Sequence, residues 1–504
     1  MLTLDSLKKE INEFCSTLLP SNVEKHSRGK ILHDTTWGTN YFEPHEIELI
    51  NTPLFQRLRY LNQMGFVCYV YPSARHSRFE HSLGVAILVE RMFNCVHRTN
   101  GKLGDHNLLD SSDLITLRIA AILHDVGHCL FSHTSEMVYG TLLDKFIEEE
   151  LIDKKPSHHE FLSYLILQSN SFAEYFNNLK RIYNLKTDIK EVASIIIGNA
   201  TSEDKRYLTS FINGPFDADK IDYYHRDSQF SGIPIQLDLD RLFYEISISD
   251  LTNIYNNGVT IRDLTVGVSG VACIEQIIFN KMLLYSTIYN HQKVKSMDCM
   301  FNGLFEYMTR HKIHLKINNK DLDFSKPTDF LYITEYNFFS LLSSHSDPTI
   351  KRLIDNIINR KLLKRALVIN HSTIKEPGLI AKMLSTGANR KAANDYLRDL
   401  AVLIHHDANA TCDPCEIWIN VPKPPPLKEA TSTFVRSNRK SNEYYPLSDF
   451  YPYKEFNELY RLHKLNIHVF APESCIKEIS ISARKILENE LGLILKDNAN
   501  LYKQ

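Results

Sequence analysis

Residues 113–136 read DLITLRIAAILHDVGHCLFSHTSE, and the reading of the whole chain turns on them. The run from Leu114 to Leu123 is strongly apolar and long enough for a helix, with His124 and Asp125 near its end. A His-Asp dipeptide alone fits a structural helix terminus as well as a functional one. Its neighbours decide the matter. An ionised Asp at a buried helix end needs a partner. His128 stands four residues from His124, on the same face of a continuing helix. His133 and Glu136 follow in the same span, and KPSHHEF (155–161) adds His158, His159 and Glu160. Histidine moves protons near neutral pH, so three such groups beside a His-Asp pair suggest acid–base chemistry.

Working outward, FDADKIDYYHRDSQFSGIP (216–234) alternates Asp217, Asp219, Asp222 and Asp227 with Lys220 and Arg226. One reading is a solvated helix face of mixed charge. The other gives Asp219 to a metal, and Lys220, Tyr223 and Arg226 to phosphate oxygens or their support. His81, His124, Asp125 and Asp219 then form a set that can converge on one ion. Imidazole nitrogen with carboxylate oxygen suits Mn, Fe, Zn or Mg better than a thiolate-seeking metal. Such an ion polarises a phosphate and makes a nucleophile of water at neutral pH.

The rest of the chain sets the frame. Residues 1–30 predict a short amphipathic helix with Leu4, Leu7, Ile11 and Phe14 on one face. Pro53 starts a fresh helix after Asn51-Thr52. VCYVYPSARHSRFEHS (67–82) reads as β-rich and then turn-like, with a helix from Leu83. EFLSYLILQS, IKEVASIII and most of 268–310 read as further helices. Beyond about 310, RALVINHSTI, EIWINVP and KLNIHVFAP are short β-branched runs, and a last helix falls near 474–490. The Pro-rich and then basic stretch 421–442 reads as a mobile loop. The expected fold is mainly α: a lead-in segment over 1–40, a helical body over 41–310, and a smaller mixed α+β lobe over 311–504.

With 58 Lys and Arg against 60 Asp and Glu, the formal net charge is -2, which argues against a nucleic-acid coat protein or a polybasic membrane binder. A basic loop around Arg436, Arg439 and Lys440 leaves nucleic-acid contact open without indicating it. Nine cysteines in no regular framework read as reduced thiols, and Cys412-x-x-Cys415 as a plain loop. Neither a signal peptide nor a run of about 18 apolar residues is evident, so a cytoplasmic protein that does not cross a membrane is expected.

These motifs resemble the HD-domain phosphohydrolases, whose pattern is H…HD…D. More closely, they are similar to the sterile-alpha-motif and HD-domain deoxynucleotide triphosphohydrolases of animals and their bacterial relatives. TPLFQRLRYLNQMGFVCYVYPSARHSRFEHSLGV (52–85) carries the strongest likeness, and HDVGHCLFSH and DADKIDYYHRD follow in the family's order. The likeness runs from about 30 to 480, without a sterile-alpha-motif domain. His128 stands where cyclic-dinucleotide phosphodiesterases carry Lys, as in the dNTP hydrolases.

The resemblance implies His81, His124, Asp125 and Asp219 as ligands of a divalent ion (Mn, Fe, Mg or Zn). It implies His128 and His133 near the phosphates, His159 as proton donor to the leaving oxygen, and Glu136 orienting it. Gln63 and Met64 match sugar-contacting positions. Arg78, Lys220, Tyr223, Asp227, Lys281, Tyr285 and Tyr289 match other nucleotide-contacting positions, Lys281 in place of an Arg and without its bidentate fork. HDTTWGTNYFEPHE (33–46) matches the family's activator segment loosely, keeping Asp34 but placing Trp37 at an unlike position. The expectation is therefore hydrolysis of deoxynucleoside triphosphates to deoxynucleoside and inorganic triphosphate, with a nucleotide activator and assembly into dimers or tetramers implied. The rivals are an HD enzyme acting on another nucleotide or on single-stranded nucleic acid, and a nucleotide sensor whose HD site is structural.

Overall fold

A computed structural model describes residues 2–103, 108–150, 155–200, 202–252, 260–317, 320–376, 390–437 and 443–502. Helices dominate, as the apolar periodicities predict. The apolar run forms helix Ser111–Leu123, capped by Asp110, and packs on the 25-residue helix Arg78–Lys102. Leu83, Val85, Leu88, Val89 and Met92 on one side, and Leu117, Ile119, Ile122 and Leu123 on the other, are buried at the centre of this layer. Helices His158–Gln168, Ile189–Ile196 and Ala218–Ser231 close around them. The N-terminal helix is Leu4–Leu18, burying Leu7, Ile11 and Phe14.

The stretch expected to be β-rich is not a strand. Gly65–Tyr69 forms a 3-10 turn, and the following helix starts at Arg78 rather than Leu83. Ser77 and Glu80 make a reciprocal cap at its start. His81 therefore sits in the first helical turn. A second departure falls inside the expected helical body, where Ile246–Thr252 and Thr260–Gly267 pair antiparallel.

The three β-branched runs beyond 310 do form one antiparallel sheet, with Ile467–Ala471 between Lys364–Ile369 and Trp418–Asn420. Helix Ile476–Leu491 follows. The stretch read as a mobile loop is partly ordered: it contains helix Lys428–Thr431 and strand Phe434–Arg436, which joins Thr260–Gly267 in parallel. Arg436 is buried there, while Arg439 and Lys440 lie outside the described residues.

Among the described residues one helical stretch, Val268–Tyr289, is long and apolar enough to cross a membrane by length and composition, though no unbroken apolar run, and half of its most apolar window is buried inside the protein. The nine cysteines are all free, and the sulfurs of Cys412 and Cys475 lie 3.1 Å apart.

One glycine sets the spacing of the site. Gly127 directly follows the His-Asp turn, and a Cβ there would collide with the backbone of His159 and Ser163. The Gly127 N–H donates to Ser163 Oγ (2.9 Å), whose hydroxyl donates to the His124 carbonyl (2.6 Å). The absent side chain thus lets the helix carrying His159 close onto the turn carrying Asp125.

Candidate metal centre and active site

His81 stands in the first turn of its helix, His124 caps the next, Asp125 begins the turn after it, and Asp219 lies in the first turn of Ala218–Ser231. These sites come from three distant stretches of sequence, yet their donor atoms approach one another. His81 Nε2 is 3.3 Å from His124 Nε2, 3.0 Å from Asp219 Oδ1 and 3.7 Å from Asp125 Oδ2. His124 Nε2 is 3.4 Å from Asp125 Oδ1 and 3.8 Å from Asp219 Oδ1.

Donors that share one ion at about 2.0–2.2 Å lie about 3.0–3.5 Å from one another; His81, His124 and Asp125 form a group that could hold a divalent cation, and Asp219 adjoins it through the two imidazoles. The other ring nitrogens are already committed. His81 Nδ1 meets Asp222 Oδ2 and His124 Nδ1 meets the Ala121 carbonyl, each at 2.7 Å, which leaves both Nε2 lone pairs facing inward. Two such lone pairs at 3.3 Å repel unless positive charge lies between them. Burial opposes a charge on His81, but Asp219 and Asp222 raise it to about 10, so the pocket favours a cation. Asp219, despite burial that opposes the anion, is held down to about 2 by His81. The residues present fit a divalent metal with nitrogen and oxygen ligands.

A second cluster adjoins the first. His128, His133, Glu136 and His159 bring four donor atoms within 4.8 Å of one another. His128 is fully buried, stacks on His159 with ring centroids 3.8 Å apart, and places Nε2 3.3 Å from Asp125 Oδ1. Burial, with Arg78 and His159 nearby, pushes it well below the usual imidazole range, so it is neutral. Glu136 Oε1 lies 2.8 Å from His159 Nδ1 and 3.2 Å from His133 Nδ1. Burial lowers His159, but the hydrogen bond and charge of Glu136 outweigh it and raise the group above its ordinary value. His133 is 65% exposed and His159 12%, which separates a surface-facing imidazole from one behind it.

The nucleotide-contacting candidates divide. Gln63 is buried with Oε1 unpartnered among the described residues, and Met64 is buried beside it. Arg78 is occupied: Nη1 donates to Asp125 Oδ2 (2.8 Å), Nε to Ser132 Oγ (3.0 Å), and Nη2 approaches the Gln63 carbonyl (3.4 Å). Lys220 pairs with Asp217 and donates to the Gly214 carbonyl. Tyr223 packs edge-on against Tyr224, and Asp227 accepts from the Tyr289 hydroxyl and meets His76 Nε2 at 2.9 Å. Tyr285 and Tyr289 bracket a π-helical turn, a form that recurs at functional sites. Lys281 is used differently from the sequence expectation. Its ammonium is buried between both oxygens of Glu429, at 2.8 and 3.0 Å.

The mixed-charge helix is not a solvated face. Asp217, Asp222 and Arg226 are fully buried. Asp222 accepts from His81 on one side, from the Arg226 guanidinium on the other, and from Trp37 Nε1. Arg226 is held in turn by Asp34 at 2.9 and 3.2 Å. Asp34 and Trp37 therefore brace Asp222, and through it the candidate ligand His81, from the hairpin Lys30–Asp34/Gly38–Phe42. Asp222 was legible in principle, since it falls three residues after Asp219 on the same helical face. Replacing it (Asp222→Asn) is expected to weaken metal affinity about 10–100-fold by freeing His81, as loss of such an orienting partner does. A metal titration of the folded variant checks this, and affinity equal to wild type would remove the role.

H…HD…D ligands closing on one nitrogen–oxygen site inside a helical body define the HD class of metal-binding domain. The chain belongs to that family: its HD domain matches residues 78–227, and the HD associated region matches residues 238–492. It is 28% identical over 355 residues to the HD domain-containing protein L394 of Acanthamoeba polyphaga mimivirus, covering 64% of this chain and 70% of that protein. It is 26% identical over 360 residues to the deoxynucleoside triphosphate triphosphohydrolase SAMHD1 homolog of Dictyostelium discoideum (68% of this chain, 61% of that one). With deoxynucleoside triphosphate triphosphohydrolase SAMHD1 of Bos taurus it shares 26% over 368 residues (66% and 58%). The chain thus spans less than two thirds of the length of both SAMHD1 relatives.

Proposed function

We propose that this HD protein hydrolyses deoxynucleoside triphosphates to deoxynucleoside and inorganic triphosphate. The observation that carries the reading is the junction of two chemically different clusters at Asp125: the metal ligands on one side and the Glu136-linked imidazoles on the other. The names of the SAMHD1 relatives support the substrate class.

His81, His124, Asp125 and Asp219 would hold the divalent ion, whether Mn, Fe, Mg or Zn. Bound there, it supplies positive charge for a phosphate oxygen and acidifies water. Arg78 fixes Asp125 and neutralises part of the acidic pocket. Gln63 offers its free carbonyl oxygen to a sugar hydroxyl, with Met64 against the sugar's apolar face. Lys220, Tyr223 and Tyr285 line the phosphate and sugar side, with Tyr289 and Asp227 acting as a hydrogen-bonded pair. His159, kept protonated by Glu136, donates the proton to the departing 5′ oxygen. His128, neutral and stacked on it, keeps a second positive charge out of the pocket.

Incubation with each dNTP, each ribonucleotide and a single-stranded oligonucleotide, with Mn or Mg, tests the substrate class. Turnover of dNTPs well above the other two supports the proposal. Cleavage of the oligonucleotide, falling steeply with salt, favours the nuclease reading, and tight binding without turnover favours a sensor.

A nucleotide activator has a candidate seat away from Asp34 and Trp37, which are committed internally. A cavity of about 640 Å³ is lined by Lys293, Arg360, Lys361, Lys364 and Arg365 against two acids, Glu416 and Glu473. Five cations in one concavity suit a polyphosphate. Added nucleotide is expected to stimulate turnover, and the double variant Lys361→Ala/Lys364→Ala to lose that stimulation. An unchanged response places the activator elsewhere. Assembly into dimers or tetramers, read by light scattering with and without nucleotide, belongs to the same proposal. Nine free cysteines suit a reducing compartment such as the cytoplasm.

A further inference from the structure

The turn that follows the HDVGH run is held in a conformation its own residues disfavour. Phe131 and Ser132 both have φ of 52°, in the left-handed region that residues with a Cβ avoid. Such a turn persists only where its surroundings over-determine it.

Those surroundings come from the HD associated region. Glu335 opens helix Glu335–Ser343 and is buried. Its Oε1 accepts from the backbone N–H of Phe131 (3.0 Å) and of Asn62 (2.9 Å), and its Oε2 accepts from the Asn62 side-chain amide. Phe338 and Phe339 on the same helix pack edge-on against Phe131, at 5.8 and 5.6 Å between ring centroids. The Phe131 ring also stacks on Phe66 at 4.1 Å. Gly65, itself at φ 52°, meets the turn so closely that a Cβ would lie 3.0 Å from the Phe131 carbonyl oxygen. Ser132 Oγ donates to the Asn62 carbonyl (2.6 Å) and accepts from Arg78 Nε (3.0 Å). One carboxylate thus joins the segment before Gln63 to the segment between His128 and His133.

We infer that Glu335 is a positioning residue: from the associated region it clamps the 129–133 turn against Asn62, and so sets where His128, His133 and Gln63 stand. The inference rests on the reading above that these three serve the reaction. Burial pushes the Glu335 carboxyl up to about 8. Charged or neutral, Oε1 remains an acceptor for both backbone amides, and glutamine reproduces the neutral form.

Hydrogen exchange on the full chain, read by mass spectrometry, tests the clamp without turnover. In Glu335→Ala, amides in 129–134 are expected to exchange at least about tenfold faster, with 114–123 unchanged. Glu335→Gln is expected to restore protection. Turnover of dNTP should fall about a hundredfold in kcat in the alanine variant, as a misplacement of about 1 Å does, with metal content retained and recovery in the glutamine variant. If the alanine variant does not fold, Glu335→Asp keeps the charge and the helix start but is one methylene too short, and the same acceleration is expected. Unchanged exchange in the folded variant overturns the clamp. Faster exchange with unchanged kcat overturns the positioning role. A wild type that turns over no dNTP condemns the substrate reading alone, because the exchange rates still decide whether Glu335 holds the turn.

Discussion

Asp125→Ala is expected to leave the protein without its divalent ion and to lower dNTP turnover about a thousandfold or more. An ion held there would supply several kcal/mol of charge stabilisation, and about 1.4 kcal/mol is worth a factor of ten in rate. Asp125 is also the carboxylate that holds the Arg78 guanidinium, at 2.8 Å and with both groups buried. Its removal leaves that charge unpaired at a cost of about 3–5 kcal/mol, so the melting temperature should fall as well. Asp125→Asn separates the two effects. It keeps the shape and one acceptor for Arg78 but lacks the anionic ligand, so it should melt closer to wild type while remaining inactive and metal-poor. Metal analysis by atomic emission, beside kcat and a melting curve, reads all three. A metal-free Asn variant that kept its activity would mean that the quartet is structural.

The second large effect concerns the proton. His159→Gln is expected to lower kcat about 100–10,000-fold, the range of a general acid, without loss of metal. The pH profile carries the sign. Glu136 raises His159 above its ordinary value against burial, so the donor form persists to higher pH than in an ordinary imidazole. Turnover should fall as pH rises through that raised value. Glu136→Gln removes the charge that raises it and leaves burial to act, so the alkaline limb should move to lower pH. The same limb in wild type and Glu136→Gln would assign the donor elsewhere.

Much of the centre was legible in sequence because its ligands sit in short runs whose chemistry is local. His124, Asp125, His128, His133 and Glu136 fall within thirteen consecutive residues, and His81, His124 and Asp125 come together in space with Asp219 3.0 Å from His81. What escaped is the framework that aims these groups. Asp222 reaches His81 across 141 residues, and Glu335 reaches Phe131 across 204. The i,i+3 step from Asp219 marks Asp222 as sharing its face but does not name His81 as its partner, and nothing local points to Glu335. The Pro-rich stretch hid Glu429, since Pro424-Pro425-Pro426 advertises a loop while the carboxylate behind it is fully buried against Lys281.

The misread run VCYVY shows the limit from the other side. A short apolar segment suits a strand or a turn of helix equally by periodicity. Gly65 with positive φ before it and Pro72 after it make the 3-10 turn. The strand pair at 246–267 was lost among helical patterns, whereas the β-branched runs beyond 310 stood apart and form the expected sheet.

The most direct test is the identity of the phosphate product. Purified protein is loaded with Mn and supplied with one dNTP at a time and with mixed nucleotides as activators, and the products are resolved by ion-exchange chromatography. Deoxynucleoside and inorganic triphosphate in equal amounts, absent with Asp125→Ala, is the predicted result. Deoxynucleoside mono- or diphosphate, or intact dNTP in every mixture from metal-loaded protein, would contradict it.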